Sequence, residues 1–279
     1  MSEQPKKRMY QLSEKHPILS MVLLMALAVL MQTLISGVCG LLGVALHIHA
    51  DIAGYTGVIL GSVLFLILMK NLYSPQYQGA LKSGISKKDT LAVMAPIIIY
   101  TVVVLIFQLI QYNFYFKPSI QFLLMAMTAG FGEEVMFRAT LIPIGMGFIK
   151  GEKRVWFIPI VTALIFGIAH ITNITAGASV FNGIHQAAAT TLVGFYFGVL
   201  YISTGSAVPG IIMHSVYDFI CFCGDPSLTN GVMTGTMSAF EIVFTIVISI
   251  LLAVSAVFIL KRIGTPRILQ LWKEKWSQE

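Results

Sequence analysis

Runs of about 20 apolar residues recur along the whole chain, separated by short polar connections, and each run is long enough to cross a hydrocarbon layer as a helix. They predict spans near 18–45, 52–70, 90–113, 119–148, 156–175, 186–204, 206–223 and 239–262. The expected fold is therefore all-α and polytopic, with eight transmembrane helices and any active site in a bundle cavity. The first run exceeds the apolar core of a secretory signal, and no small-residue cleavage site precedes the next polar loop, so it is expected to be retained as an anchor. No linker, low-complexity tract or internal repeat interrupts the pattern, which predicts a single integral membrane domain over residues 1–279.

Composition removes the soluble classes. Of the 279 residues 57% are hydrophobic and only 11% charged, with mean hydropathy +0.84, where a soluble domain carries about a quarter charged residues. The net charge of +6 suggests nucleic acid at first sight, but the placement of the basic residues speaks for membrane orientation instead. On an eight-span reading Lys6, Lys7, Arg8 and Lys15 share one side with Lys70, Lys82, Lys87 and Lys88, with Lys150, Lys153 and Arg154, and with Lys261, Arg262, Arg267, Lys273 and Lys275. The opposite side keeps only Lys117, and Arg138 falls inside a span. Both termini are expected in the cytoplasm. Cys39, Cys221 and Cys223 are too few for a disulfide framework and read as small packing residues.

The connections carry weaker signals. The stretch 71–89 is expected to lie along the lipid surface, with Ser86 or Asp89 capping the helix that follows. Segments 173–185 and 224–238, rich in Asn, Thr, Ser and Gly, suit a polar cover over a cavity.

The ionisable residues at membrane depth are the informative ones. Glu133, Glu134 and Arg138 lie in the fourth span, His170 in the fifth, and His214 and Asp218 in the seventh. A charge near the centre of a spanning helix costs roughly 2.5 to 3.5 kcal/mol on insertion scales, so these groups should face one another or a wet interior. Glu134 and Arg138 are i, i+4 neighbours with the acid first, the better orientation for a helical ion pair. Glu133 projects about 100° away without a local partner, which makes it the free carboxylate fit for a general base. The competing reading is a charge cluster that serves only helix association. His214 and Asp218 are also i, i+4, so the carboxylate is expected to hold one imidazole nitrogen and direct the other outward. His47, His49 and Asp51 read as a solvated turn rather than a weak metal patch, and His185 stands where a cavity mouth would be.

Several intramembrane chemistries fail for want of residues. There is no H-E-x-x-H helix, no second aspartate in a G-x-G-D setting, and no G-x-S-G nucleophile.

In this order, E-E-V-M-F-R at 133–138, F-G-I-A-H at 166–170 and H-S-V-Y-D at 214–218 resemble the motifs of the CPBP intramembrane endopeptidases, the Abi, CAAX-protease and bacteriocin-processing family. The shared core covers roughly 115–225. The resemblance implies that Glu133 activates water with His170 as its partner, that Glu134 and Arg138 support them with Phe166 opening the second motif, and that His214 and Asp218 stand near the oxyanion. Asp218 occupies a position that is often Asn, so orienting His214 suits it better than donating to an oxyanion. The resemblance allows a glutamate-type mechanism or a metal-dependent one. No cofactor is favoured; the alternative is zinc or another divalent ion on Glu133, His170 and His214. The expected activity is hydrolysis of a peptide bond in a membrane-associated protein or peptide, with the bilayer as the other partner, in the plasma membrane of a bacterium. The rivals are a non-catalytic scaffold for bacteriocin immunity or sensor-kinase regulation, and an ion-coupled transporter, which the missing inverted repeat disfavours.

Overall fold

A computed structural model describes residues 7–229 and 231–277. Lys6, counted above with the basic N-terminal group, lies outside them. The described chain is almost wholly helical. In order it forms α1 (Arg8–Lys15), α2 (Pro17–Ala45), α3 (Ala50–Tyr73), α4 (Lys87–Gln111), α5 (Ile120–Glu133), a π-helical segment (Glu134–Ala139), α6 (Leu141–Phe148), α7 (Arg154–Ala169), a 3₁₀ segment (His170–Ile174), α8 (Val180–Thr204), α9 (Val208–Gly224), α10 (Ala239–Ile263) and α11 (Thr265–Lys275). Between α9 and α10 a two-residue hairpin pairs Leu228 with Met233 and Thr229 with Val232.

Seven helical stretches are long and apolar enough to cross a membrane, with α5 to α6 counted as one stretch and α7 taken with its 3₁₀ extension. The chain is a multi-pass membrane protein. The expected seventh span corresponds to α9, whose 17 residues rise roughly 26 Å at 1.5 Å per residue, a little short of the hydrocarbon thickness. The other expected spans match observed helices to within a few residues at most ends. The starts are set by serine: Ser86, Ser119, Ser179 and Ser238 each accept a backbone N–H of the first turn through the side chain.

In lipid no apolar burial drives helices together, so close backbone approach has to. A Cβ on Gly57 would stand 2.5 Å from Ser36 Cα and one on Gly61 2.9 Å from Gln32 Cα, which seats α3 on α2. α5 lies on α9 and α7 on α8. Leu251, Val254 and Phe258 of α10 point outward, as a lipid-facing surface does.

Two features add to the sequence reading at the end that carries the basic connections. The stretch 71–89 is bound to the rest of the chain. Its backbone polar groups are claimed by protein: Gln78 N–H donates to Lys275 O (3.0 Å), Gly84 N–H to Thr204 O (2.8 Å), and Ala80 O accepts from Ala207 N–H (2.8 Å), while Tyr77 is buried and stacks on Trp276 at 4.5 Å. The C-terminal segment, expected only as a basic tail, is the amphipathic helix α11, which buries Ile268, Leu271 and Trp272. Trp272 Nε1 donates to Ile202 O and Trp276 Nε1 to Pro143 O, both at 3.0 Å. The helix cap expected before α4 is present, with Ser86 accepting from Asp89 N–H.

Candidate active site

Arg138 and Glu134 sit on the π-helical segment, where the wider winding pairs residue 135 with 140: Thr140 N–H reaches Val135 O at 3.2 Å. π-turns inside α-helices recur at functional sites because they re-aim side chains without ending the helix. Arg138 is fully buried and Glu134 is 1% exposed, and Arg138 Nη1 lies 2.9 Å from Glu134 Oε1. The guanidinium also lies 4.0 Å over the Phe166 ring, and its Nη2 donates to Gly194 O at 3.4 Å. A cation taken out of water is thus met by a carboxylate, an aromatic face and a backbone carbonyl.

Glu134 has a second duty. The same Oε1 accepts from His214 Nδ1 at 2.9 Å, so an acid on the fourth long helix fixes the tautomer of a histidine on α9. Asp218 does not do this, contrary to expectation: its Oδ2 is 3.5 Å from the other nitrogen, Nε2. The reason is packing. A Cβ on Gly210 would stand 2.9 Å from Glu134 Oε2, so the glycine leaves room beside α9 for the carboxylate that holds Nδ1. Phe197 stacks on the imidazole at 5.3 Å and 21°, which fixes the ring plane.

With Nδ1 held, Nε2 points at the remaining acids. Glu133 Oε2 lies 3.7 Å away, and the Glu133 side chain is one-third exposed. That oxygen is itself buried and lacks a hydrogen-bond partner among the described residues. Glu133, His170, His214 and Asp218 all line one cavity of about 680 Å³. His170 occupies the 3₁₀ turn after α7. Its Nδ1 donates to Phe166 O at 2.9 Å, leaving Nε2 as its available nitrogen. The Phe166 ring stands edge-on to both imidazoles, 4.6 Å from His170 and 6.0 Å from His214. The structure therefore joins Glu133, Glu134, Arg138, His214 and Asp218 directly, and His170 lines the same cavity beside Phe166.

The alternative metal set is not assembled by this geometry. Among the described residues no three His, Cys, Asp or Glu side chains are grouped so as to hold an ion, although Glu133, His170 and His214 line one cavity. His47 and His49 are exposed at the α2–α3 turn. His185 lines the cavity wall. The three cysteines are free.

The cavity reaches the polar connections expected to cover it. Asn173, Asn182, Val232 and Met233 line it, and Asn182 Nδ2 donates to Met233 O (3.1 Å) and Gly235 O (2.8 Å), latching the hairpin segment to α8. Sequence reasoning missed Phe197, Gly194 and the latch. A phenylalanine or glycine inside an apolar span carries no distinguishing signal, and the latch joins residues 51 and 53 positions apart.

Residues 115–220 match the family model described as type II CAAX prenyl endopeptidase Rce1-like. That segment is similar to the Rce1-like members of the CPBP family. It contains Glu133, Glu134, Arg138, His170, His214 and Asp218, so the matched segment and the polar cluster coincide. The match supports intramembrane protease activity of the CAAX type. Comparison with curated proteins and with solved structures gave no match.

Proposed function

We propose that the chain is an intramembrane endopeptidase in which Glu133 activates water against a peptide bond of a membrane-associated protein or peptide. The observation that carries this reading is the division of labour between adjacent acids. Glu134 is consumed by Arg138 and His214, while Glu133 keeps an unpartnered oxygen at the cavity wall, 3.7 Å from His214 Nε2. A water within hydrogen-bond reach of both atoms gives its proton to Glu133 as its oxygen attacks the carbonyl carbon. The carbonyl π-pair moves onto oxygen, and Glu133 returns the proton to the amide nitrogen as the C–N bond breaks. With Nδ1–H committed to Glu134, a proton on Nε2 gives the donor that a tetrahedral oxyanion needs. Asp218, beside the same nitrogen, positions it. His170, its Nδ1 held by Phe166 O, offers Nε2 to the substrate in the same cavity. No step passes through a metal.

The topology completes the reading. α9 serves as the eighth crossing, short because its ends sit among protein rather than lipid, and both termini lie with the basic connections. The cavity then opens toward the Asn182 latch, on the face that carries Lys117 alone, so substrate arrives from the non-cytoplasmic side.

The test is hydrolysis by the purified protein of peptides identified by comparing membrane peptidomes of wild type and Glu133→Gln. Glu133→Gln is expected to abolish cleavage while melting within a few degrees of wild type, and a chelator is expected to leave wild-type cleavage intact. Cleavage by Glu133→Gln at the wild-type rate removes the assigned base; loss of cleavage on chelation, restored by zinc, replaces the metal-free route.

A further inference from the structure

A second cavity, of about 910 Å³, lies at the opposite end of the bundle, between the 74–86 connection, the start of α4, the end of α10, and α11. Its charge is lopsided. Lys82, Arg262, Arg267 and Lys275 line it against Asp89 and Glu274. Both acids are engaged locally: Asp89 Oδ2 accepts from Ser86 Oγ at 2.7 Å, and Glu274 Oε1 from Gln270 Nε2 at 3.0 Å. Among the described residues, Lys82, Arg262 and Arg267 enter no ion pair. Lys275 is 2% exposed, and its ammonium is met by the carbonyls of Gly79 (2.6 Å) and Lys82 (2.8 Å) and by the Tyr77 ring at 5.8 Å, none of which carries a charge. Four cations against two acids leave the hollow with a net positive charge, which favours the entry of an anion.

The walls say what kind of anion. Ile259 and Ile263 of α10, with Ile268 and Leu271 of α11, make one side of the hollow apolar, and the outward face of α10 continues from it through Phe258, Val254 and Leu251 into the lipid-facing surface. The hollow thus joins a cationic floor to hydrocarbon, which fits a molecule with a charged head and an acyl tail. Basic pockets at the cytoplasmic ends of spanning helices hold lipid phosphates by this chemistry. Arginine in particular presents two donors to one phosphate.

We propose that this cavity binds a phosphate-bearing ligand, an anionic phospholipid of the adjoining leaflet, with its phosphate between Arg262 and Arg267 and one acyl chain along α10. The site stands at the far end of the bundle from Glu133 and does not depend on the peptidase reading.

The experiment uses the full chain, delipidated in neutral detergent and titrated by native mass spectrometry and thermal shift. The titrants are phosphatidylglycerol, phosphatidylcholine and inorganic phosphate. Wild type is expected to prefer phosphatidylglycerol over phosphatidylcholine by about tenfold or more, and Arg262→Gln with Arg267→Gln is expected to remove most of that preference. Both arginines are exposed, so the double variant should fold. Glu133→Gln is expected to bind the lipid as wild type does, which separates this site from the peptidase. Equal binding of the two lipids, or a preference that survives in the double variant, overturns the proposal. Saturation by inorganic phosphate alone, lost in the double variant, would keep the phosphate site and overturn the lipid as its source.

Discussion

Glu134 illustrates how one side chain can organise a site without performing its chemistry. One of its oxygens meets both Arg138 and His214 at 2.9 Å, so removing the acid strands a buried guanidinium and frees an imidazole together. Glu134→Ala and Arg138→Ala are each expected to cost roughly 3 to 5 kcal/mol, the scale for leaving one partner of a buried pair uncompensated. Denaturant melts in detergent check this, and unchanged stability would mean the pair is solvated. Gly210→Ala tests the approach that makes the bridge: its methyl presses on Glu134 Oε2 and should lower stability by roughly 1 to 3 kcal/mol through overpacking. At this scale much was legible. Spacing four apart announced the Glu134 and Arg138 pair and left Glu133 unclaimed. The His214 contact was not, because it joins residues 80 positions apart and competes with a nearer acid, Asp218, that local spacing favours.

Among the elements, the long apolar helices were readable because hydrocarbon demands a length and a composition that nothing else in the sequence imitates. α11 was not. Its buried face is short, and its charged residues resemble those of any cytoplasmic tail until Trp272 and Trp276 are seen donating to carbonyls of other helices. The hairpin between α9 and α10 was anticipated only as polar cover, since four paired residues make no strand signal. Its attachment gives a prediction. Asn182→Ala removes two hydrogen bonds from the latch and should raise KM for peptide by about tenfold while leaving kcat close to wild type. A fall in kcat with constant KM would place the latch in the chemistry instead.

The whole molecule separates two ends: a polar cavity under the hairpin, and a basic collar made by α1, the 74–86 connection and α11. Single cysteines at Thr236 and Glu152, in a variant lacking Cys39, Cys221 and Cys223, should label from opposite faces of intact cells, with Thr236 reacting from outside; the reverse pattern inverts the orientation. The collar also predicts a pH dependence. Burial, aided by the neighbouring Lys82 charge, holds the Lys275 ammonium down to about 8 from 10.5. The unfolded chain then keeps its proton between those values while the folded chain releases it, so stability should rise from pH 8 to 10.5 and stay lower below 8. Thermal melts across that range should show the rise in wild type and lose it in Lys275→Gln.

The π-helical turn carries a length constraint as well as a geometry. It contains more residues than an α-turn of equal height, so deleting Met136 alone should let the helix rewind as ordinary α. Because the surplus is absorbed within the turn, the outer half bearing Glu133 would keep its phase relative to the inner half anchored through Pro143, while Glu134 and Arg138 would be re-spaced from i, i+4 to i, i+3. Such a shortened chain would still thread the bilayer, yet Glu134 would no longer reach Arg138 and His214 together: one surplus residue aims the bridge.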